Sequence, residues 1–336
     1  ILSIIILGVS LNGYHLFMGI FQVPDKIYLL TEFYLKIILF SFPFTFLYNI
    51  ITAALRSIGD SRTPIVFLGI SCMLNVILDL VFVGKFQMSV AGAGLSTLIA
   101  ESFSCILCIL HVYKNVPLLA LKKEEWKPDK RIIVIILKNG GVTALQQLMQ
   151  PIGKVLIQGC VNLYGVSMIA AFNAVNRVDD FACIPEQSIS HAMMTYISQC
   201  EGAKNEEKKQ EGFQKGMKLE IIYGVLIFLI VFLFRNQIIH IFGSGKMEKI
   251  GADYLKCIAI FYILPGITNG VQGYFRGIQK MKVTLIATCI QITLRTLFVY
   301  VLIPKTGMNG AAYACAIGWS VMILYQVCTY RKYKIR

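Results

Sequence analysis

Charge is scarce in this chain: only 15% of its 336 residues are Asp, Glu, Lys or Arg, against roughly 25% in ordinary soluble domains. Apolar residues make up 56% and aromatic ones 12%, so the chain belongs in a bilayer. The motifs of ATP-driven or hydrolytic chemistry are missing as well. No Walker sequence, nucleophile elbow or His-Glu-x-x-His occurs, which leaves an ATP-driven pump unsupported and a lipid-modifying enzyme without a nucleophile, base or metal motif. The ten cysteines are scattered through or beside apolar runs. Cys105 and Cys108 form a C-x-x-C in mid-run, with no second pair and no nearby His pattern. Zinc and disulfides are therefore discounted, and the cysteines read as small buried hydrophobes.

Acids are scarcer than bases, 18 against 32, for a formal charge of +14. The bases sit in short clusters between long apolar runs and form no stripe on a soluble fold, so they point to membrane orientation and not to nucleic acid. Ten runs of about 20 apolar residues fall at about 1–20, 30–54, 63–84, 91–113, 132–162, 166–199, 219–241, 252–275, 283–303 and 309–330. One alternating set of connections carries twenty bases, in clusters at Arg56–Arg62, Lys114–Arg131, Lys204–Lys218, Arg276–Lys282 and Arg331–Arg336. The other carries six: Lys26, Lys85, Arg235, Lys246, Lys249 and Lys305. This asymmetry predicts a multi-pass protein of the cytoplasmic (inner) membrane with both ends of the chain on the cytoplasmic side.

The chain also repeats itself. Tyr34-Leu35-Lys36 returns as Tyr254-Leu255-Lys256, Leu55-Arg56-Ser57-Ile58 as Phe275-Arg276-Gly277-Ile278, and Gly92-Ala93-Gly94 as Gly310-Ala311-Ala312. Repeated helical hairpins in so apolar a chain mark a transporter of two related halves, and the small residues let helices approach closely. The stretch from about Arg131 to Glu220 opens the second half and has no counterpart before Ile1, so roughly 90 residues are expected to precede this sequence in the full repeat. The expected division is an incomplete N-lobe of four helices over 1–114, a cytoplasmic linker over 115–130, and a six-helix C-lobe over 131–336. Trp126, among lysines, reads as a headgroup anchor in that linker. Residues 201–218 read as an amphipathic cytoplasmic connection. Pro43 and Pro265, at nearly matching places in the two halves, are expected to kink their helices.

Polar groups inside apolar runs need a partner or a wet cavity, because lipid offers neither. Asn75 and Asp79 lie four apart on one helix face, with Asn49 and Tyr34 on the preceding run and Thr97 on the following one. One carboxylate among neutral oxygens suits Na⁺ or a proton. The same residues also suit a purely structural role, capping backbone inside the bundle. The matching positions of the second half are Arg295 and Val299, which confines any such cation site to the first. A second group lies on the run 166–199: Asn173, Asn176, Arg177, Asp179, Asp180, Glu186 and His191. Arg177 and Asp180, three apart, are placed to pair; Asp179 and Glu186, seven apart, share another face, with Pro185 expected to interrupt the helix between them. The surplus of acids suits a cationic substrate. Gln146, Gln150 and Lys154, with Gln158 one turn on, form a polar stripe fit to line a cavity, Lys154 being an alternative partner for those acids.

The run Ala54-Leu55-Arg56-Ser57-Ile58-Gly59-Asp60-Ser61-Arg62-Thr63-Pro64, followed by Asn75-Val76-Ile77-Leu78-Asp79 and Val90-Ala91-Gly92-Ala93-Gly94-Leu95-Ser96-Thr97, resembles the multidrug and toxic compound extrusion family. Ala170-Ala171-Phe172-Asn173, Asn176-Arg177-Val178-Asp179 and Phe275-Arg276-Gly277 extend the likeness over the second half. The resemblance implies an all-α, polytopic exporter of twelve transmembrane helices in two related six-helix lobes around a central cavity, of which this chain would hold ten. It implies antiport of cationic or amphipathic xenobiotics against Na⁺ or H⁺, no cofactor, no enzymatic activity and a monomer in the bilayer. By motif position its first-lobe cation site falls on Asp79, Asn75, Thr97, Asn49 and Tyr34, with an Asp of the family's first helix that has no position here. The acids that another branch uses on its seventh and tenth helices are replaced by glutamines with Lys154, and by Pro265. The substrate cavity is expected at Gln146, Gln150, Gln158, Asn173, Asn176, Asp179, Asp180 and Glu186. A lipid-linked oligosaccharide flippase of related fold is the alternative, favoured by Arg177, Lys154 and Arg295.

Overall fold

A computed structural model describes residues 2–20, 25–120 and 129–334. Every regular element among the described residues is helical. Contacts divide the chain into one unit over residues 1–127 and a second over 128–336. Trp126 and the middle of the expected linker lie outside the described residues.

In the first unit, α1 (Leu2–Ile20) packs on α2 (Asp25–Ser57), and α2 and α3 (Arg62–Asp79) both pack on α4 (Ser89–Asn115). Asp60 supports the α2–α3 turn by accepting from the backbone N–H groups of Arg62 and Thr63, both at 3.1 Å. Helix α2 is continuous through Pro43. Directly after Asp79 the chain widens into a π-helical turn, Leu80–Lys85. The span Arg62–Lys85 is 24 residues long, and its most apolar 18-residue stretch has a mean hydropathy of 2.4 with almost none of it buried. At 1.5 Å per residue it is long enough to cross the roughly 30 Å of a bilayer core, and its outward-facing Ile65, Met73, Val76 and Leu80 suit lipid.

The second unit holds α5 (Lys130–Val161), α6 (Val166–Gly202), α7 (Glu206–His240), α8 (Lys246–Ala259), α9 (Ile263–Gly277), α10 (Met281–Thr306) and α11 (Asn309–Lys334). Helix α9 is buried against α6 and α7, while α10 is clasped by α11 and α5. The core gathers Phe172, Tyr254, Leu255, Ile258, Tyr262, Val299 and Ile303. At Gly310 the backbones of α10 and α11 nearly touch: a Cβ there would stand 2.6 Å from the Leu302 carbonyl carbon.

Among the described residues seven helices are long and apolar enough to cross a membrane, and α8 with α9 forms an eighth candidate, bent by 52°. Pro265 stands in the first turn of α9, where its missing N–H costs least, and the bend falls just before it. The remaining expected spans are α1 and α6, and α6 carries too many ionisable groups to read as a simple lipid-facing helix. One expectation is corrected. Pro185 does not interrupt α6, which is continuous from Val166 to Gly202. Most of the 201–218 connection is helical and forms the opening turns of α7. Asn205 caps that helix by accepting from Lys208 N at 2.9 Å, Glu206 and Glu207 occupy its first turn, and Lys209 pairs with Glu201 at 2.7 Å; acids at a helix start are favourable.

Candidate functional site

Polar side chains of the first unit stack in levels between α3, α4 and α2. At one end Ser96 donates to Asp79. Beside it Asn75 Nδ2 donates to Thr97 Oγ1 at 3.4 Å, and Thr97 Oγ1 donates to the Ala93 carbonyl at 3.0 Å. One turn further along, Ser71 donates to the Ala100 carbonyl at 2.6 Å and Thr45 donates to Glu101. The spacings 79, 75, 71 on α3 and 97, 101 on α4 are helical repeats of four, so the levels follow from the sequence pattern once the two helices are paired. Tyr34 lies against Gly94, where a Cβ would meet its ring at 3.3 Å, one turn from Thr97. Asn49 lines a separate pocket of about 320 Å³ with Thr45, Tyr48, Thr52, Arg56, Ser71 and Glu101. Asp79, Asn75 and Thr97 are thus brought together with Ser96, which sequence reading passed over. Asn49 sits at the next level, with Glu101.

The second unit encloses a polar cavity of about 370 Å³. Gln146, Gln150, Asn176, Asp179 and Asp180 line it, together with Lys154, His191, Asn269, Gln272, Arg276, Gln291 and Arg295. Three of the expected cavity residues stand outside this lining. Gln158 Nε2 donates to Asn162 at 2.7 Å, Asn173 is exposed, and Glu186 is buried behind the wall, where Asn269 Nδ2 donates to it at 3.3 Å. Gln146 is buried and crosslinks three helices: its Nε2 donates to Gln272 at 2.7 Å and to Thr288 at 2.9 Å, and its Oε1 accepts from Thr284 at 3.1 Å. Arg276 donates to the same Gln272 oxygen at 3.0 Å.

The charges of this cavity differ from the sequence expectation. Of the two partners left open for Asp180, the structure pairs it with Lys154 at 2.7 Å and not with Arg177. Asp179 accepts from Tyr262 of the bent α8–α9 segment. Arg276, counted from the sequence as a loop charge, stands in the last turn of α9 and lines the cavity, as does Arg295 of α10. Lys154, Arg276 and Arg295 therefore face Asp179 and Asp180, and the acidic surplus read along α6 alone is not a property of the cavity. Helices far apart in sequence supply the balancing bases, which no local spacing reveals.

Long apolar helices that turn ionisable groups inward define a multi-pass membrane protein built around polar interior sites. The chain belongs to the MatE family, whose model matches residues 1–81 and 143–301, and that family comprises membrane transporters and not enzymes. It is 27% identical over 317 residues to a probable multidrug resistance protein of Bacillus subtilis, YpnP, covering 93% of this chain and 69% of that relative. A probable multidrug resistance protein of Thermotoga maritima, NorM, is 27% identical over 289 residues, 83% of this chain and 61% of its own length. The chain thus spans roughly two thirds of the curated relatives it matches. Among solved structures, a mutant form of the Vibrio cholerae MATE transporter VcmN superposes with a TM-score of 0.92 at 17% identity, over 98% of this chain and 75% of that one; at that identity the likeness is one of fold.

Proposed function

We propose that the protein is a multidrug efflux antiporter of the cytoplasmic membrane, working as a monomer with both ends of this chain on the cytoplasmic side. It expels amphipathic xenobiotics, cationic ones among them, in exchange for Na⁺ or H⁺, and needs no cofactor beyond that ion. The observation that carries the reading is the Asp79 cluster: a half-buried carboxylate on α3 that accepts from Ser96 beside the Asn75–Thr97 pair, at the point where the helix widens into a π turn. Single π turns gather at functional sites, because the widened backbone leaves carbonyls free to bind or to shift. Asp79, Asn75 and Thr97 form the inner part of the cation site, with Tyr34 and Asn49 completing it. The polar cavity of the second unit, at Gln150, Asn176, Asp179 and Asp180, receives substrate; Gln146 holds its wall together.

Cation and substrate oppose one another because each favours a different conformation, and the ion gradient supplies the difference in free energy. The test is efflux of a fluorescent amphipathic cation from cells expressing the full protein. Asp79→Asn keeps the size and hydrogen bonding of the side chain and removes its charge, so efflux is expected to fall to the level of cells lacking the protein. Undiminished efflux removes Asp79 from the coupling.

A second reading has its own observation. With Lys154, Arg276 and Arg295 in the cavity wall, an anionic amphiphile such as a lipid-linked oligosaccharide finds counter-charges that a cation does not. Arg276→Gln and Arg295→Gln separate the two: they weaken movement of an anionic lipid-linked substrate and leave that of a cationic dye intact or improved.

A further inference from the structure

In the sequence Glu220 lies just inside the apolar run 219–241, beyond the polar patch 201–218. On α7 it is 0% exposed, and neither of its carboxyl oxygens has a hydrogen-bond partner. Its side chain lies on α9 where two glycines leave room. A Cβ at Gly266 would stand 3.6 Å from Glu220 Oε2, and one at Gly270 would stand 3.4 Å from its Cγ. Between those glycines Asn269 reaches the other way, its Nδ2 donating to Oε2 of Glu186 on α6 at 3.3 Å. Glu186 is itself 1% exposed. One turn of α9 therefore carries two buried carboxyl groups from two other helices. Neither makes an ion pair among the described residues.

The neighbouring titratable groups are Asp179 and Cys183 on α6, Tyr223 on α7, whose hydroxyl donates to the Ala182 carbonyl at 3.0 Å, and Tyr262 ahead of α9, which donates to Asp179. None brings a positive charge. A lone carboxylate in such a place is strongly disfavoured, and two on one helix turn repel each other as well. A proton on Glu220 removes its charge and with it the repulsion, and it leaves Glu186 with the Asn269 donor. The route for it is short: Asn269 and Ser190 line the polar cavity, and Ser190 Oγ donates to the Asn269 carbonyl at 2.7 Å. The same wall carries Asp179, Asp180, His191, Arg276 and Arg295.

We propose that Glu186 and Glu220 form a proton-binding site of the second unit, holding one exchangeable proton between α6, α7 and the Gly266–Gly270 turn of α9. The site is separate from Asp79 and stands whether or not Asp79 couples transport. It falls on neither of the helix positions at which the family resemblance places second-lobe acids.

Infrared difference spectroscopy of the purified full protein reads it through the carbonyl stretch of a protonated carboxyl group. The wild type is expected to show this band at neutral pH and to lose it as pH rises; Glu220→Gln is expected to lack it. In Glu186→Gln the neighbouring carboxyl is gone, repulsion falls, and the Glu220 band disappears at a pH lower by about one unit, a tenfold drop in proton affinity. The proposal is overturned by the absence of a Glu220-dependent band from about pH 5 to about pH 9, or by a midpoint that Glu186→Gln leaves in place. Loss of the band on adding Na⁺ at constant pH also overturns it, since the ligand is then a metal cation. Should Glu220→Gln not fold, the shift or constancy of the band in Glu186→Gln decides alone.

Discussion

Gln146→Leu tests whether the second-unit cavity is held open by the glutamine crosslink. Leucine nearly preserves the volume, so what changes is bonding. The substitution deletes the bonds to Gln272 at 2.7 Å, Thr288 at 2.9 Å and Thr284 at 3.1 Å. Gln272 keeps its bond from Arg276 at 3.0 Å, and Thr284 keeps the Met281 carbonyl at 2.8 Å. Thr288, 2% exposed, loses the partner it has. An orphaned buried hydroxyl costs about 1–3 kcal/mol, and each lost bond about 0.5–1.5 kcal/mol net. Part of this is offset by the added apolar burial, which leaves a loss of about 2–4 kcal/mol. The assay is thermal unfolding of the purified protein in one detergent, with Gln150→Leu as control. Gln150 lies one turn along on the same helix, exposed to the cavity, and its replacement is expected to stay within about 0.5 kcal/mol of the wild type. Equal melting temperatures for the two variants refute the crosslink.

Gly310→Ala is expected to destabilise by more than the about 1–3 kcal/mol of ordinary overpacking, because the new Cβ meets backbone at 2.6 Å. Gly159→Ala, whose nearest neighbour is the Tyr300 hydroxyl at 3.9 Å, is expected to melt like the wild type; thermal unfolding compares them. Lys154→Ala and Asp180→Ala break a pair that is about half exposed on both sides, at 46% and 56%, so each shifts stability by less than about 1 kcal/mol while altering substrate preference, read by efflux of dyes of opposite charge. The Asp60 carboxyl, outside the spans, is held below its ordinary value, first by Thr63 through side chain and backbone and then by Arg62 N–H. Its folded value is the lower one. Its stabilisation is therefore complete above the unfolded value and is lost as pH falls through the folded one, so the melting temperatures of wild type and Asp60→Asn should converge in acid.

Much of the fold was legible because lipid makes demands that sequence displays directly: long apolar runs, clustered bases and small residues at Gly92 and Gly310. Within one hairpin the site was legible too, since Asn75, Asp79 and Thr97 meet through helical spacing alone. Contacts across distant helices were not. For Asp180 the sequence left Arg177 at i+3 and Lys154, 26 residues earlier, both open, and only the packing of α5 on α6 selects Lys154. Arg276 read as a loop charge because it stands in the last turn of α9, and Glu220, inside the run 219–241, carries no local signal because the α9 glycines it packs on lie far along the chain. Pro185 leaves α6 continuous because one missing N–H is a local loss in a helix packed against α9, α7 and α8.

Coupling of a cation at Asp79 to export is tested most directly by ion release on substrate binding. In lightly buffered detergent solution, adding a transported compound to the purified full protein should expel the coupling ion, read as acidification by a pH dye for H⁺ or by a Na⁺-selective electrode for Na⁺. By reciprocity the ion should in turn weaken substrate binding by the same factor. The account predicts release by the wild type and none by Asp79→Asn, which still binds the compound. Equal release by the two proteins, or no release of either ion by the wild type, contradicts it.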